Sequence, residues 1–193
     1  MIPEPLTEEE RCALIKLARE ALVAGVSGIP LSKLNFSTLP ERLQQPGATF
    51  VTLTRRGELR GCIGTLEAQI ALAEDVRQHA VAAALHDYRF PPVGVSEIQE
   101  IEIEVSYLTC PAPLHYDNPG DLLRKLRPCI DGVLIRDGWH RATFLPQVWE
   151  KLPDPADFLS HLCMKMGRPP DIWRKQPLEI FTYQVEEMHE HTG

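Results

Sequence analysis

The sequence predicts an α+β fold of antiparallel sheets with flanking helices. Three observations carry this. Ile101-Glu102-Ile103-Glu104-Val105-Ser106-Tyr107 alternates apolar with polar residues, the pattern of a strand in an antiparallel sheet with one wet face. Arg55-Arg56-Gly57-Glu58 and Asp137-Gly138 each read as the turn of a hairpin. Helical segments interleave with these hairpins without repeated parallel β-α-β units, which excludes a doubly wound nucleotide-binding fold.

Taken in order, Thr7-Glu8-Glu9-Glu10 is a capping box that starts a helix with Leu14, Leu17, Ala18, Ala21 and Leu22 on one face and Gly25 as its stop. Residues 28–47 form an irregular excursion with room for a short helix. Phe50 and Leu53 lie in a strand, and Leu59 to Gly64 is its hairpin partner. A helix follows, with Leu72, Val76, Ala80, Ala83 and Ala84 packed and Glu74, Asp75, Arg77 and Gln78 mostly outward. It ends before Arg89-Phe90-Pro91-Pro92, because proline cannot continue a helix. Asn118-Pro119-Gly120-Asp121 opens a short helix. Strands Gly132 to Arg136 and Trp139 to Leu145 make the second hairpin, and Leu145 to Trp149 turns helical at Pro146. Asp154-Pro155 starts a helix with Phe158, Leu159, Leu162, Cys163 and Met166 inward and Gly167 as its stop. One last strand runs near Leu178 to Glu187, with Phe181, Tyr183 and Val185 alternating.

A chain of 193 residues is long enough to bury a core without staples, and 44% hydrophobic with 24% charged residues excludes a disordered composition. The net charge of -7, without a cluster of Lys and Arg, argues against nucleic acid and anionic membrane surfaces as partners. No apolar run reaches a membrane span, and Met1-Ile2-Pro3-Glu4-Pro5 lacks the features of a signal peptide, so a cytoplasmic location is expected. The five cysteines form no C-x-x-C pair or metal-finger spacing and are expected to be reduced thiols. No phosphate-binding glycine loop or other cofactor signature is present. His161 and Cys163, two apart on a helix, point away from each other, so no metal site is assigned. His189 and His191 read as a frayed tail.

The most informative run is Leu59-Arg60-Gly61-Cys62-Ile63-Gly64. Two glycines flank a thiol in a strand, where glycine ordinarily marks a bulge or a close approach, so Cys62 is expected to stand in an enterable notch. By the two-residue strand period Arg60 shares its face, and a nearby guanidinium favours the thiolate. The alternative is a buried cysteine packed as a small apolar residue.

Arg60-Gly61-Cys62-Ile63-Gly64-Thr65-Leu66 resembles the hallmark of the AMMECR family, whose prokaryotic members are called AmmeMemoRadiSam system protein A. The resemblance continues through Ala82-Ala83-Ala84, Arg89-Phe90-Pro91-Pro92, Glu104-Val105-Ser106, Asp131-Gly132-Val133 and Thr143-Phe144-Leu145-Pro146-Gln147-Val148. Tyr88 and Ala71 stand where that family usually has proline. The resemblance implies two unequal subdomains, placed at about 1–112 plus 177–193 and about 113–176. It also implies a pathway shared with a Memo-like protein and a radical S-adenosylmethionine protein, without naming a substrate.

Cys62 and Arg60 are the candidate catalytic residues. Glu67 is an acid, a base or a charge partner for Arg60, or else a helix-start carboxylate. His86 either folds back toward the hairpin as a base or is solvated at a helix end, and His79 is the other nearby histidine. Gly61 and Gly64 permit close approach. Arg89 anchors a carboxylate or phosphate, or else ties down its own turn. Phe144, with Pro146, Trp149 and Trp173, lines a cleft or belongs to the core. Two functions remain open: a cysteine-dependent enzyme or cofactor-handling component with its cleft around Leu59–Gly64, and a non-catalytic module that docks a Memo-like partner.

Overall fold

The computed structural model describes residues 5–190. The chain divides into two compact units, one made of Met1–Cys110 with Glu186–Gly193 and the other of Pro111–Val185.

In the first unit, helix α1 (Glu8–Val26) opens at the Thr7 capping box, and its buried face is the predicted one. Its stop differs from expectation. Gly25 stays helical, and Gly28 takes the left-handed conformation at φ +69. Ile29 N–H then donates to Ala24 O and Gly28 N–H to Gly25 O, which closes the C-terminus with the paired bonds of a Schellman motif. Gly25 serves packing instead, since a Cβ there would lie 3.1 Å from the Val81 methyl carbons. The excursion that follows holds one 3-10 turn and the short α2 (Glu41–Gln44).

Strands β1 (Pro46–Arg55) and β2 (Glu58–Gly64) form an antiparallel hairpin. Its two-residue turn has Arg56 and Gly57 both at positive φ, the backbone that matches the twist of the flanking strands. The short β3 (Ile70–Ala71) pairs with the start of β1, and α3 (Leu72–Leu85) follows it. With β4 (Ile101–Leu108) and β9 (Val185–His189), the order across the main path is β2-β1-β4-β9. Val51, Leu53, Ile103 and Val105 pack with Leu14, Leu22, Val76 and Ala80 in one core, which places α1 and α3 on one face of the sheet. Asp75 and Arg77, expected outward, are buried on α3: Asp75 bonds Thr49, and Arg77 bonds Ser32 O at 2.6 Å.

The second unit carries a sheet ordered β5-β8-β6-β7, from β5 (Ala112–Pro113), β6 (Gly132–Asp137), β7 (His140–Phe144) and β8 (Glu179–Tyr183). Helices α4 (Pro119–Lys125), α5 (Pro155–Lys165) and α6 (Ile172–Lys175) complete it. The single strand expected over 178–187 is therefore two. Gln184 interrupts it, β8 pairs with β6, and β9 belongs to the first unit's sheet. The expected alternation of Phe181, Tyr183 and Val185 breaks accordingly, because the fully buried side chains are Ile180 and Tyr183 and then Met188.

Trp149 anchors this unit. Its ring stacks on Phe158 at 3.7 Å, and its Nε1 donates to Asp131 O at 2.7 Å. Burial pushes the Tyr183 phenol up to about 12, and its hydroxyl donates to Phe144 O. Replacing Trp149 with Phe keeps most of the stacked area but orphans the Asp131 carbonyl, and is expected to lower stability by about 1–3 kcal/mol in urea denaturation.

Candidate functional site

The segment Arg60–Gly64 lies on β2, an edge of the first unit's sheet. Its register against β1 slips between Leu53, which faces Gly61, and Thr54, which faces Leu59, so Arg60 is the extra residue of a bulge. A bulge interrupts the two-residue period, and the sequence inference that Arg60 sides with Cys62 fails for this reason. The Arg60 guanidinium instead grips Glu97 through Nε at 3.0 Å and Nη2 at 3.0 Å, and donates to Pro91 O and Pro92 O. Arg60 and Gly94 N–H together hold the Glu97 carboxyl down at about 2. Arg55 shares Glu97 and pairs with Glu100, so this charge belongs to a network that ties β2 to the 3-10 turn Val95–Glu100.

Cys62 faces Thr52 across the hairpin. Its N–H donates to Asp87 Oδ2 at 2.9 Å, and its carbonyl accepts from Arg89 Nη2 at 3.1 Å. Both backbone groups thus point out of the sheet, which makes Thr52 and Cys62 a non-hydrogen-bonded pair with close side chains. Thr52 Oγ1 donates to Cys62 Sγ at 3.3 Å. Asp87 is buried and also accepts from Arg89 N, Nε and Nη2. The Arg89 hydrogen bonds hold its carboxyl far below the usual range, and Arg89 is raised in turn, mainly by Asp87 with a smaller contribution from Cys62. The guanidinium that bonds Cys62 is therefore that of Arg89, through the Cys62 carbonyl, and it also grips Asp87 two residues before it.

Neither glycine leaves a notch open. A Cβ on Gly61 would fall 2.1 Å from the Ala83 carbonyl oxygen of α3, and one on Gly64 would fall 2.4 Å from both the Phe50 ring and Thr49 O. The space that missing side chains leave is filled by the protein's own helix and strand. Glu67 sits exposed in the bend after β2, bonded by Gln69, and α3 starts only at Leu72, so Glu67 is not a helix-start carboxylate; the Arg60 guanidinium is held by Glu97. His86 is the exposed C-cap of α3. Phe144 belongs to the second unit, where it packs edge-on to Phe158 with Lys165 over its ring. Trp149 and Trp173 are core. Cys62 is half-buried and, like the other four cysteines, unpaired.

The AMMECR1 family model matches residues 15–188. The chain belongs to the AMMECR1 family. It is 37% identical to a protein of Methanothermobacter thermautotrophicus over 96% of this chain and 97% of that one. It is 40% identical to a protein of Methanopyrus kandleri over 97% and 91%. The crystal structure of an uncharacterised protein from Pyrococcus horikoshii, 30% identical, superposes with a TM-score of 0.83 and covers 96% of this chain and 94% of that one.

Sequence reasoning missed several residues that organise this AMMECR1 site. Asp87, Glu97 and Thr52 were not singled out; the only available signal was Asp87 two positions before Arg89, a spacing that lets a carboxylate reach a guanidinium across a turn. A second buried group lies on the same helix: Asp75 Oδ2 accepts from Thr49 N at 2.8 Å and Thr49 Oγ1 at 2.7 Å, and lies 3.1 Å from His79 Nδ1. His189, expected in a frayed tail, ends β9 with Nδ1 3.6 Å from Glu104 Oε2, while His191 lies outside the described residues. Burial and Glu187 raise the Glu104 carboxyl.

Two measurements check this account. Gly61→Ala forces a methyl onto the α3 backbone and is expected to lose about 2–4 kcal/mol of stability or to abolish folding. Glu97 falls from 4.5 unfolded to about 2 folded, so its contribution is complete above pH 4.5 and vanishes as pH drops through about 2. The stability gap between wild type and Glu97→Gln should be constant above pH 4.5 and close on acidification toward pH 2.

Proposed function

We propose that this chain is a protein-binding module that presents the β2 edge and the two segments clamped to it. One observation carries the reading: the polar and glycine features around Cys62 are consumed within the fold, while apolar side chains on the clamped segments stay exposed. Arg60 ties β2 to Glu97 and to the Pro91 and Pro92 carbonyls, and Asp87 with Arg89 ties the turn after α3 to Cys62. On these segments Leu59 is 44% exposed, Tyr88 95% and Val95 64%. A rigidly held tyrosine is among the side chains enriched at binding hot spots, because little conformational entropy is lost when it docks, and the aliphatic neighbours help to exclude water around it.

The family resemblance supplies the partner to test first, a Memo-like protein, with the radical S-adenosylmethionine protein of the same system as the second. Five unpaired thiols support a reducing compartment such as the cytoplasm, and among the described residues no helix is long and apolar enough to cross a membrane. A second reading, chemistry at Cys62, is favoured by the Thr52 hydroxyl, which donates to its sulfur at 3.3 Å.

Calorimetry with the purified Memo-like protein separates the two. Docking predicts that Tyr88→Ala weakens binding about tenfold or more, while Cys62→Ser leaves it within a factor of about two. A Cys62→Ser variant that binds normally but abolishes the pathway's product would replace the docking account with the chemical one.

A further inference from the structure

The cluster of Thr49, Asp75 and His79 between β1 and α3 does more than a tie between strand and helix requires. Thr49 N–H and Thr49 O–H both donate to Asp75 Oδ2, at 2.8 and 2.7 Å, and the same oxygen lies 3.1 Å from His79 Nδ1. An oxygen that already takes two donors meets the ring nitrogen only as an acceptor. The proton of the neutral imidazole therefore sits on Nδ1, and the lone pair on Nε2. Asp75 is buried and held by Thr49, and a flipped ring would turn carbon toward its carboxylate, so the orientation of the imidazole is fixed as well.

Nε2 makes no hydrogen bond among the described residues and is open to solvent, the His79 side chain keeping 16% of its surface exposed. The tie uses only the other side of the ring. Asparagine would supply that much, because its Nδ2 is bonded to Cγ as Nδ1 is. The place of His79 is set by two contacts. Thr65 N–H donates to Thr49 O at 3.0 Å, so the residue that follows β2 lies beside the cluster. One turn further along α3, Ala83 O is the atom that a Cβ on Gly61 would meet. α3 thus passes over β2, with His79 at the Gly64 end of the strand and the turn of Asp87 and Tyr88 at Cys62. From His79 to His86 the helix advances about 10 Å, and a standard interface takes about 800 Å2 from each partner, so one docked protein spans both ends.

We propose that His79 is a specificity-determining contact of the docking surface, its Nε2 accepting a hydrogen bond from an N–H or O–H donor of the bound protein. The inference rests on the docking reading of the β2 edge and adds what the partner must bring, a donor opposite His79 beside the apolar surface that meets Leu59, Tyr88 and Val95. A partner with a carbonyl or carboxylate at that point meets a lone pair with a lone pair. Both acceptors then stay unpaired in the interface, which is how a polar contact rejects a wrong partner.

Nitrogen-15 NMR of the full chain at mildly alkaline pH is expected to show His79 as the Nδ1–H tautomer, and the reverse tautomer overturns the proposal. Diethyl pyrocarbonate, followed by peptide mapping, should acylate His79 at Nε2, at least about fivefold more slowly in the complex with the purified Memo-like protein. His79→Asn keeps the donor to Asp75 and should melt within about 3 °C of wild type, yet bind that protein about five- to tenfold more weakly by calorimetry. A His79→Asn variant that binds as wild type, or a His79 acylated equally fast in the complex, overturns the inference; Tyr88→Ala still weakening binding then leaves the docking reading standing. Weaker binding matched by a comparable loss of melting temperature assigns His79 to the tie alone and overturns the inference too. A wild-type chain that does not bind overturns both.

Discussion

The structure around Cys62 depends on one ion pair standing in for a missing strand. An edge strand exposes unpaired N–H and C=O groups, and proteins must cover, charge or bend such edges to remain monomeric. Here the Asp87 carboxylate takes the place of a neighbouring carbonyl and the Arg89 guanidinium that of a neighbouring amide, so Cys62 is bonded on its outer side as if another strand lay there. Asp87 is buried, and several donors converge on it. A buried carboxylate so saturated is tolerable, whereas one stripped of its guanidinium would be an uncompensated charge inside the protein. The end of α3 is thereby locked to β2, and the position of the thiol is set by main-chain bonds, leaving its own weak chemistry unburdened by structural work.

The same device recurs in the second unit. Asp131 is buried and accepts from Arg127 N, Nε and Nη2, while its own carbonyl accepts from Trp149. Beside it, Gly132 lies so close to the Tyr183 ring that a Cβ would fall at 2.4 Å. In both units a buried aspartate fixes a turn, after α3 in the first and before β6 in the second, and a glycine of the strand beside it lets another element close over that strand.

Much of the fold was legible because local rules and tertiary packing agree. The Thr7 capping box, the Gly57 and Gly138 turns, the alternation of β4 and the apolar stripe of α5 all specify themselves within a few residues. What was hidden depended on partners distant in sequence. Arg60 lost its predicted face to a bulge that only the pairing with β1 reveals. Asp75 and Arg77 looked like the wet side of α3, yet Thr49 and Ser32 come from elsewhere to satisfy them. The two glycines correctly announced a close approach, but composition alone cannot say whether a ligand or the protein's own helix makes it. The last strand was read as continuous because Phe181, Tyr183 and Val185 alternate; the break at Gln184 has no turn residue to mark it.

That break has a consequence for how the chain is made. β9, which supplies Met188 to the first core and Glu186, with Glu190 just after it, to the arginines of α1, follows the whole of the second unit in the sequence. Until it is made, β4 has a bare margin and the α1 arginines Arg11 and Arg19 lack Glu186 and Glu190. The first unit's sheet therefore completes its β2-β1-β4-β9 order only after the second unit has been made. Loss of Val185–His189 would leave β4 as a bare edge, open to pairing with another chain.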